Sequence, residues 1–250
     1  MLVLLQRKIK QLAWENMKLS VFIPCIPRHV FYLPYVVEAY KSGTVQPDEI
    51  VVYLSGFSDV PKDQWERFIY YYPEIQYETN DILISGANAK QQAHKLCNTE
   101  LIMYQDADDL PTKNRVEICK SIFMSHDIVH LNHSWVFMGE EIKLLPLKII
   151  SGQELYDRHF DSGGKIRMFG YGAQIWGNER DRNHDGALVI TRETLKEVSF
   201  CTDMWKAADR SFCFDMLKHF KTKSAIINQQ LYYYLNNSMW EQWKKENENA

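Results

Sequence analysis

Three carboxylates within four residues follow a short apolar run. Residues 101–104 are apolar, and Asp106, Asp108 and Asp109 come directly after Gln105. A short apolar run that ends in charge is typical of a buried parallel strand whose carboxyl end opens into a ligand crevice. Carboxylates this close together are held by water, by a cation or by a shared proton. Asp-x-Asp after a strand thus predicts a divalent-metal site shared with a phosphate-bearing substrate. The alternative is an acidic turn that caps the next helix, because a Leu-Pro pair follows Asp109.

The composition is that of an ordinary globular protein with one full core. The chain has 250 residues, of which 46% are hydrophobic and 24% are charged, so one domain is expected, with two small ones as the alternative. The formal net charge of -3, without any Lys/Arg-rich run, argues against a nucleic-acid partner. The five widely spaced cysteines include no Cys-x-x-Cys pair, which argues against structural zinc and a disulfide framework. They predict reduced thiols and a cytoplasmic protein.

The first residues predict an amphipathic helix over 1–17. The chain starts apolar but becomes charged at Arg7 and Lys8, so this stretch is too short to span a bilayer. It also lacks the order of charged and apolar residues that a signal peptide has. We therefore expect no transmembrane segment, and we expect the helix to pack on its own domain rather than on a membrane.

Strands and helices alternate through the first half of the chain. Apolar and β-branched runs predict strands at 19–23, 50–54, 75–79, 101–104 and 128–131. Helical spacing predicts helices at 31–40, 62–71 and 86–97, and a further helix that starts near Pro111 and continues through Phe123. This alternation indicates a parallel α/β sheet with right-handed crossovers.

The second half is less regular. Residues 134–150 predict irregular strands, and residues 161–186 carry six glycines among aromatic residues, which is typical of a functional loop or a mobile lid. The remaining patterns predict a strand at 187–190, helices at 192–198 and 205–220, a last strand at 224–235 and a polar tail at 239–250.

Four sequence blocks, in order, resemble those of family 2 glycosyltransferases of the GT-A fold. The blocks are Ser-Val-Phe-Ile-Pro at 20–24, the segments 89–93 and 99–109, Asp-Gly-Ala-Leu-Val-Ile-Thr-Arg-Glu at 185–193, and Ala-Asp at 208–209. The resemblance implies a single GT-A domain over 18–238, an α/β fold with a mostly parallel sheet flanked by helices. Its Rossmann-like nucleotide-sugar-binding half would be 18–133, and its acceptor-binding half would be 134–238.

The resemblance also implies metal-dependent sugar transfer, with inversion, from a nucleotide-diphospho-sugar to a hydroxyl of a glycan or other acceptor. The donor would be a UDP- or GDP-sugar, and Mn²⁺ or Mg²⁺ would neutralise the departing diphosphate. Asp108 is the first choice of metal ligand. Asp106 would lie deeper and contact the ribose or, through water, the metal, and His184 is a third metal candidate. The implied donor-binding residues are Pro24, Ser55, Lys90, Gln91, Asp106, Ala107 and Asp108.

On the acceptor side, the resemblance makes Asp209 the base that takes the proton of the acceptor hydroxyl. A helix-capping Asp is the structural alternative at that position. Trp205 lies four residues earlier, where its ring would stack on a sugar or belong to the core. The implied acceptor-binding residues are Trp176, Gly186, Trp205 and Ala208.

The chain departs from the family pattern in three regions. Residues 53–59 lack the Asp-Asp-Gly-Ser type of block that recognises a uracil ring, so Ser55 would contact the base through its hydroxyl or backbone. Lys90 and Gln91 replace a common Arg-Asn pair, and Ala208 replaces a Glu. A non-catalytic sugar-nucleotide or glycan-binding module is therefore the main alternative, and an assembly protein is another.

Two further enzyme classes fit the sequence less well. A sugar-1-phosphate nucleotidyltransferase would need a glycine-rich phosphate loop after the first strand, which residues 24–28 do not supply. A HAD-like phosphatase would carry its nucleophile after the first strand rather than after the fourth.

Overall fold

The computed structural model describes residues 16–58, 60–143, 145–165, 168–171, 175–176, 182–201 and 208–235. The predicted polar tail, Trp205 and all but residues 16–17 of the predicted N-terminal helix lie outside these ranges. Within the ranges, no helix combines the length and the apolar character needed to cross a membrane.

The described strands form one sheet flanked by helices. In chain order they are β1 Leu19–Cys25, β2 Glu49–Ser55, β3 Gln76–Asn80, β4 Leu101–Tyr104, β5 Leu110–Pro111, β6 His130–Phe137, β7 Ile149–Ser151, β8 Gly170–Tyr171, β9 Arg182–Thr191 and β10 Ser224–Tyr234. The order across the sheet is β3-β2-β1-β4-β9-β6-β10-β5, with β7 on β10 and β8 on β9. Strands β3, β2, β1 and β4 are parallel to one another, as are β6 and β10, whereas β9 is antiparallel to both β4 and β6.

The helices cover both faces of this sheet. They are α1 Leu33–Lys41, α2 Lys62–Tyr71, α3 Gly86–Gln91, α4 Ala93–Leu96, α5 Arg115–Ser125, α6 Gly152–Asp161, α7 Thr194–Glu197 and α8 Ala208–His219. Side chains alternate along each strand, so neighbouring residues enter different apolar cores. Val21 and Ile23 join the core under α1, α2 and α5, while Phe22 joins the core under α3, α6 and α8. The predicted α/β architecture is confirmed.

Several predicted boundaries are wrong for identifiable reasons. The helix expected near Pro111 begins at Arg115, because Leu110–Pro111 instead pairs with β10 as a short edge strand, where a proline costs no ladder bond. The helix expected over 86–97 is divided at Gln92 into α3 and α4. The helix expected from residue 31 is preceded by a 3-10 helix, Pro27–Tyr32, that starts at a proline.

The second half is more regular than its sequence suggested. Strand β6 continues from the expected strand through Phe137, into the stretch expected to be irregular. Strand β9 begins at Arg182 and pairs with β6, so the end of the glycine-rich stretch belongs to the sheet.

His130, at the start of β6, makes folding sensitive to acid. The side chain is fully buried, its two ring nitrogens have no hydrogen-bond partner among the described residues, and burial lowers its pKa to about 3. In the unfolded chain the pKa of His130 is about 6.5, so below that pH the unfolded chain binds a proton that the folded protein does not bind. Between these values stability falls with falling pH, by up to about 1.4 kcal/mol per pH unit.

We expect His130→Leu to flatten this part of the stability profile. Denaturant unfolding at neutral pH and at mildly acidic pH should give the variant a smaller loss of free energy than the wild type. His219→Gln, an exposed position on α8, is the control and should follow the wild type. If the free energy of unfolding fell equally with pH in wild type and His130→Leu, His130 would not be the cause of the acid sensitivity.

Candidate active site

A cavity of about 260 Å³ lies at the carboxyl ends of the parallel strands β1, β2 and β4. This edge of a parallel sheet is where α/β proteins bind ligands. The ends of β1 and β2, the segments after β1 and β4, helix α3 with the residue Ile84 before it, and the first turn of α8 supply its wall. Of the residues predicted from the sequence, eight lie on this wall: Pro24, Ser55, Lys90, Asp106, Ala107, Asp108, Ala208 and Asp209.

Lys90 joins two of the carboxylates. Its Nζ lies 2.7 Å from Oδ2 of Asp209 and 3.1 Å from Oδ1 of Asp106, and its side chain is 4% exposed. Burial lowers the pKa of Lys90, but attraction to Asp106 and Asp209 outweighs burial and raises the pKa above its ordinary value. The ammonium is therefore charged, and it joins the acidic turn of residues 106–109 to Asp209 in the first turn of α8, 119 residues after Lys90 in the sequence.

Asp108 is held in a half-buried position on the same wall. Burial first, and then repulsion from Asp106, raises the pKa of Asp108 to about 6. The carboxylate is mostly ionised at neutral pH, but at an electrostatic cost that a bound cation would remove.

Arg28 and His29 were missed by the sequence analysis. They lie on the 3-10 helix after β1, with Nε2 of His29 3.6 Å from Oδ2 of Asp108, too far for a hydrogen bond. Nε of Arg28 donates to Nε2 of His29 at 3.0 Å. Burial, followed by the charge of Arg28, lowers the pKa of His29 to about 4, so the imidazole is neutral and makes no salt bridge with Asp108. The available signal was Pro27, which starts this 3-10 helix.

The turn after β2 brings another loop onto the cavity. Gly56 has φ +77°, and a Cβ at this position would lie 2.8 Å from Cβ of Leu83. Glycine therefore permits both the left-handed turn and the close approach of the loop that carries Ile84. Ile84 and Ser55 then lie on the same cavity wall.

Asp109 neither lines the cavity nor caps the next helix, which was the structural alternative for the acidic turn. It is 2% exposed and does not line the cavity, and Oδ1 accepts a hydrogen bond from the backbone N–H of Leu235 at 3.0 Å. Burial, then Asp106 and Asp108, raises its pKa well above the usual range. It does not cap α5, whose N-cap position is Asn114. Asp109 instead ties the acidic turn to the end of β10.

The remaining predicted residues lie elsewhere or are not described. Oε1 of Gln91 accepts from the backbone N–H of Phe200 at 2.9 Å, and Gln91 is absent from the cavity wall. Trp176 is half-buried and packs against the core under α3, α6 and α8, also away from that wall. His184 and Gly186 lie in β9, whose backbone alone is described at these positions, and Trp205 lies outside the described residues.

The side chains on the cavity wall suit a metal ion only if a bound substrate supplies further ligands. Among the residues that the structure describes, no group of three or more His, Cys, Asp or Glu side chains is arranged to hold a metal. Asp106 and Asp108 offer carboxylate oxygens, and Mg²⁺ is commonly bound by one or two carboxylates together with substrate phosphates. The residues therefore fit a hard divalent ion that a bound phosphate group helps to hold.

Solved structures share this architecture. Residues 1–349 of S. aureus TarS match with a TM-score of 0.63 and 13% identity, over 90% of this chain and 63% of that chain. Glucosyl-3-phosphoglycerate synthase from Mycobacterium tuberculosis, solved with Mn²⁺, UDP and glucosyl-3-phosphoglycerate, matches with a TM-score of 0.62 and 13% identity, over 94% of this chain and 77% of that chain. The chain has the GT-A fold.

These structural matches confirm the GT-A fold that the resemblance of the sequence blocks implied. The TarS fragment has also been solved with UDP and with UDP-GlcNAc. No family model matches the sequence, and no curated protein matches it. The chain spans less than two thirds of the TarS fragment, and an identity of 13% establishes the fold alone.

Proposed function

We propose that the chain is a metal-dependent glycosyltransferase of the family 2 type that moves a sugar from a UDP-sugar to an acceptor hydroxyl. The observation that carries the proposal is the arrangement of Asp106, Asp108, Lys90 and Asp209 around one cavity in a GT-A fold. UDP-containing structures of TarS and of the M. tuberculosis synthase support UDP over GDP as the nucleotide.

On the donor side, Asp106 and Asp108 would hold the diphosphate through Mn²⁺ or Mg²⁺. A bound divalent ion would supply positive charge to the diphosphate as the bond to the sugar breaks. Lys90 adds a second, permanent positive charge next to Asp106. Ser55, which is buried at the end of β2, would contact the uracil ring of UDP through its hydroxyl or its backbone.

On the acceptor side, Asp209 would act as the base. Its carboxylate takes the proton of the acceptor hydroxyl while that oxygen attacks the anomeric carbon and the bond to the diphosphate breaks. The ammonium of Lys90 at 2.7 Å favours the ionised carboxylate that a base needs. Inversion follows if the attack comes from the face opposite the diphosphate. Ala208 stands on this part of the wall where the family pattern has a Glu, and its small side chain leaves room for an acceptor group.

The first test measures thermal stability with UDP, GDP, Mn²⁺ and their combinations. UDP with Mn²⁺ should raise the melting temperature by about 5 °C or more at about 100 times Kd, whereas UDP with EDTA should have little effect. Asp108→Asn should lose the joint effect, and GDP should be weaker than UDP. Equal shifts with Mn²⁺ and with EDTA would contradict the shared metal.

A second measurement separates an enzyme from a binding module. UDP release from a UDP-sugar should require Mn²⁺ and should be lost in Asp108→Asn. Binding of the UDP-sugar without release of UDP, with and without candidate acceptors, would instead support the non-catalytic module.

A further inference from the structure

A buried polar cluster lies beneath the acidic turn that carries Asp106 and Asp108. Its members are Tyr40, Gln105, Arg115 and His133, and Gln105 and Arg115 are each 1% exposed. We infer that Gln105 and Arg115 are positioning residues that hold the acidic turn in the conformation required for cation and diphosphate binding. This inference rests on the proposed function.

The two ends of the Gln105 amide have separate tasks. Nε2 donates to the backbone carbonyl of Asp106 at 2.7 Å and to that of Asp109 at 2.8 Å. Because these carbonyls are three residues apart, a single amide group closes the turn from one end to the other. The turn's own bond, from the N–H of Asp109 to the carbonyl of Asp106, is 3.2 Å long. The oxygen of the same amide, Oε1, accepts from the hydroxyl of Tyr40 at 2.8 Å and from Nη1 of Arg115.

Arg115 fixes the orientation of that amide. Two donors, Tyr40 and Arg115, face Oε1, so the NH₂ group must face the turn. The guanidinium is itself anchored on three sides, by the hydroxyl of Tyr40 at 2.9 Å, the carbonyl of Tyr104 at 2.8 Å and Nε2 of His133 at 3.1 Å. A flipped amide would place NH₂ against both donors and its oxygen against the two turn carbonyls, each of which would lose the hydrogen bond from Nε2.

Burying the charged guanidinium of Arg115 costs free energy that an apolar core would not. Among the described residues, Arg115 forms no ion pair with a carboxylate, although its guanidinium is buried and lies 5.4 Å from the centre of the Tyr232 ring. An apolar group of similar volume would avoid the cost of burying an uncompensated charge. What the polar cluster adds is a defined geometry for the two turn carbonyls, and hence for the carboxylates of Asp106 and Asp108 in the same turn.

Gln105→Glu tests this role because it keeps one half of the amide and removes the other. The carboxylate still accepts from Tyr40 and gains an ion pair with Arg115, but it donates nothing to Asp106 or Asp109. Because its second oxygen faces the two carbonyls, we expect a lower melting temperature without ligand, an affinity for UDP with Mn²⁺ reduced at least about tenfold, and at least about tenfold faster hydrogen exchange at the Asp109 amide.

Tyr40→Phe is the matched control, because it removes one of the two donors to Oε1 but leaves the donor of Arg115 and both bonds from Nε2 to the turn. It should lower the melting temperature while the affinity and the Asp109 exchange rate stay within about twofold of wild type. Gln105→Met, which fills similar volume without polar atoms, gives a second variant that should show the same faster exchange.

Hydrogen exchange is measured without any ligand, so the inference and the proposed function fail separately. If wild type does not bind UDP with Mn²⁺, the proposed function fails, and with it the cation-binding purpose of the turn. If wild type binds but Gln105→Glu and Gln105→Met keep wild-type exchange at Asp109, the positioning role is overturned.

Discussion

Asp209→Asn should lower the rate of sugar transfer by about 10²–10⁴-fold, the usual contribution of a general base. Asparagine has the same shape, and its oxygen can still accept a hydrogen bond from Lys90, which lies 2.7 Å from Asp209. It cannot take a proton from the acceptor hydroxyl. Because the loss concerns the transition state, UDP affinity in the presence of Mn²⁺ should stay within about threefold of wild type.

Asp215→Asn is a fair control for this change. It removes a carboxylate from the same helix, α8, at a position that does not line the cavity. Both activity and binding should be unaffected. If Asp209→Asn retained wild-type transfer, the base would have to be sought elsewhere, and if UDP binding were lost as strongly as transfer, Asp209 would be a structural partner of Lys90 and not a base.

The sequence predicted that the cavity residues come together in one site, because most of them lie at or after the ends of strands. Pro24, Ser55 and Asp106 lie at or after the ends of β1, β2 and β4, and the carboxyl ends of parallel strands share one edge of a sheet. The apolar runs of these strands were read correctly because both faces of the sheet are covered, which makes such strands almost continuously apolar.

The parts that sequence patterns missed depend on long-range partners. Asp109 reads as a helix cap, but its partner is the backbone of Leu235, 126 residues further along the chain. The start of α5 was misplaced because Leu110–Pro111 pairs with a strand more than a hundred residues away. Gln91 follows Lys90 directly, yet the helix directs it to Phe200 and not to the cavity. Local spacing carries no information about these partners.

Lys90→Met should damage both stability and catalysis. The substitution leaves Asp106 and Asp209 facing each other without the buried ammonium that lies 3.1 Å from one and 2.7 Å from the other. Removing one partner of a buried ion pair costs about 3–5 kcal/mol. The two carboxylates are 29% and 27% exposed, so solvent screening reduces the expected loss of unfolding free energy to about 2–3 kcal/mol.

The rate of sugar transfer by Lys90→Met should fall by more than the loss of folded protein explains. Without Lys90, repulsion between Asp106 and Asp209 favours protonation of one of them at neutral pH, and a protonated Asp209 is no longer a base. We expect transfer to fall by about 10²-fold or more at a temperature where the variant is fully folded, which is checked by calorimetry before the rates are measured. The pH–rate profile should shift its acidic limb to higher pH, because the base now holds its proton more tightly.

Lys90→Arg separates the charge from the shape of this residue. Arginine keeps a permanent positive charge and offers a planar fork to two carboxylates, so the ion pairs with Asp106 and Asp209 should survive. Stability within about 1 kcal/mol of wild type, and an acidic limb at the wild-type position, are the expected results. A Lys90→Arg variant as inactive as Lys90→Met, with wild-type stability, would mean that the compact ammonium contacts the substrate directly, and that its bridge between the two carboxylates is secondary.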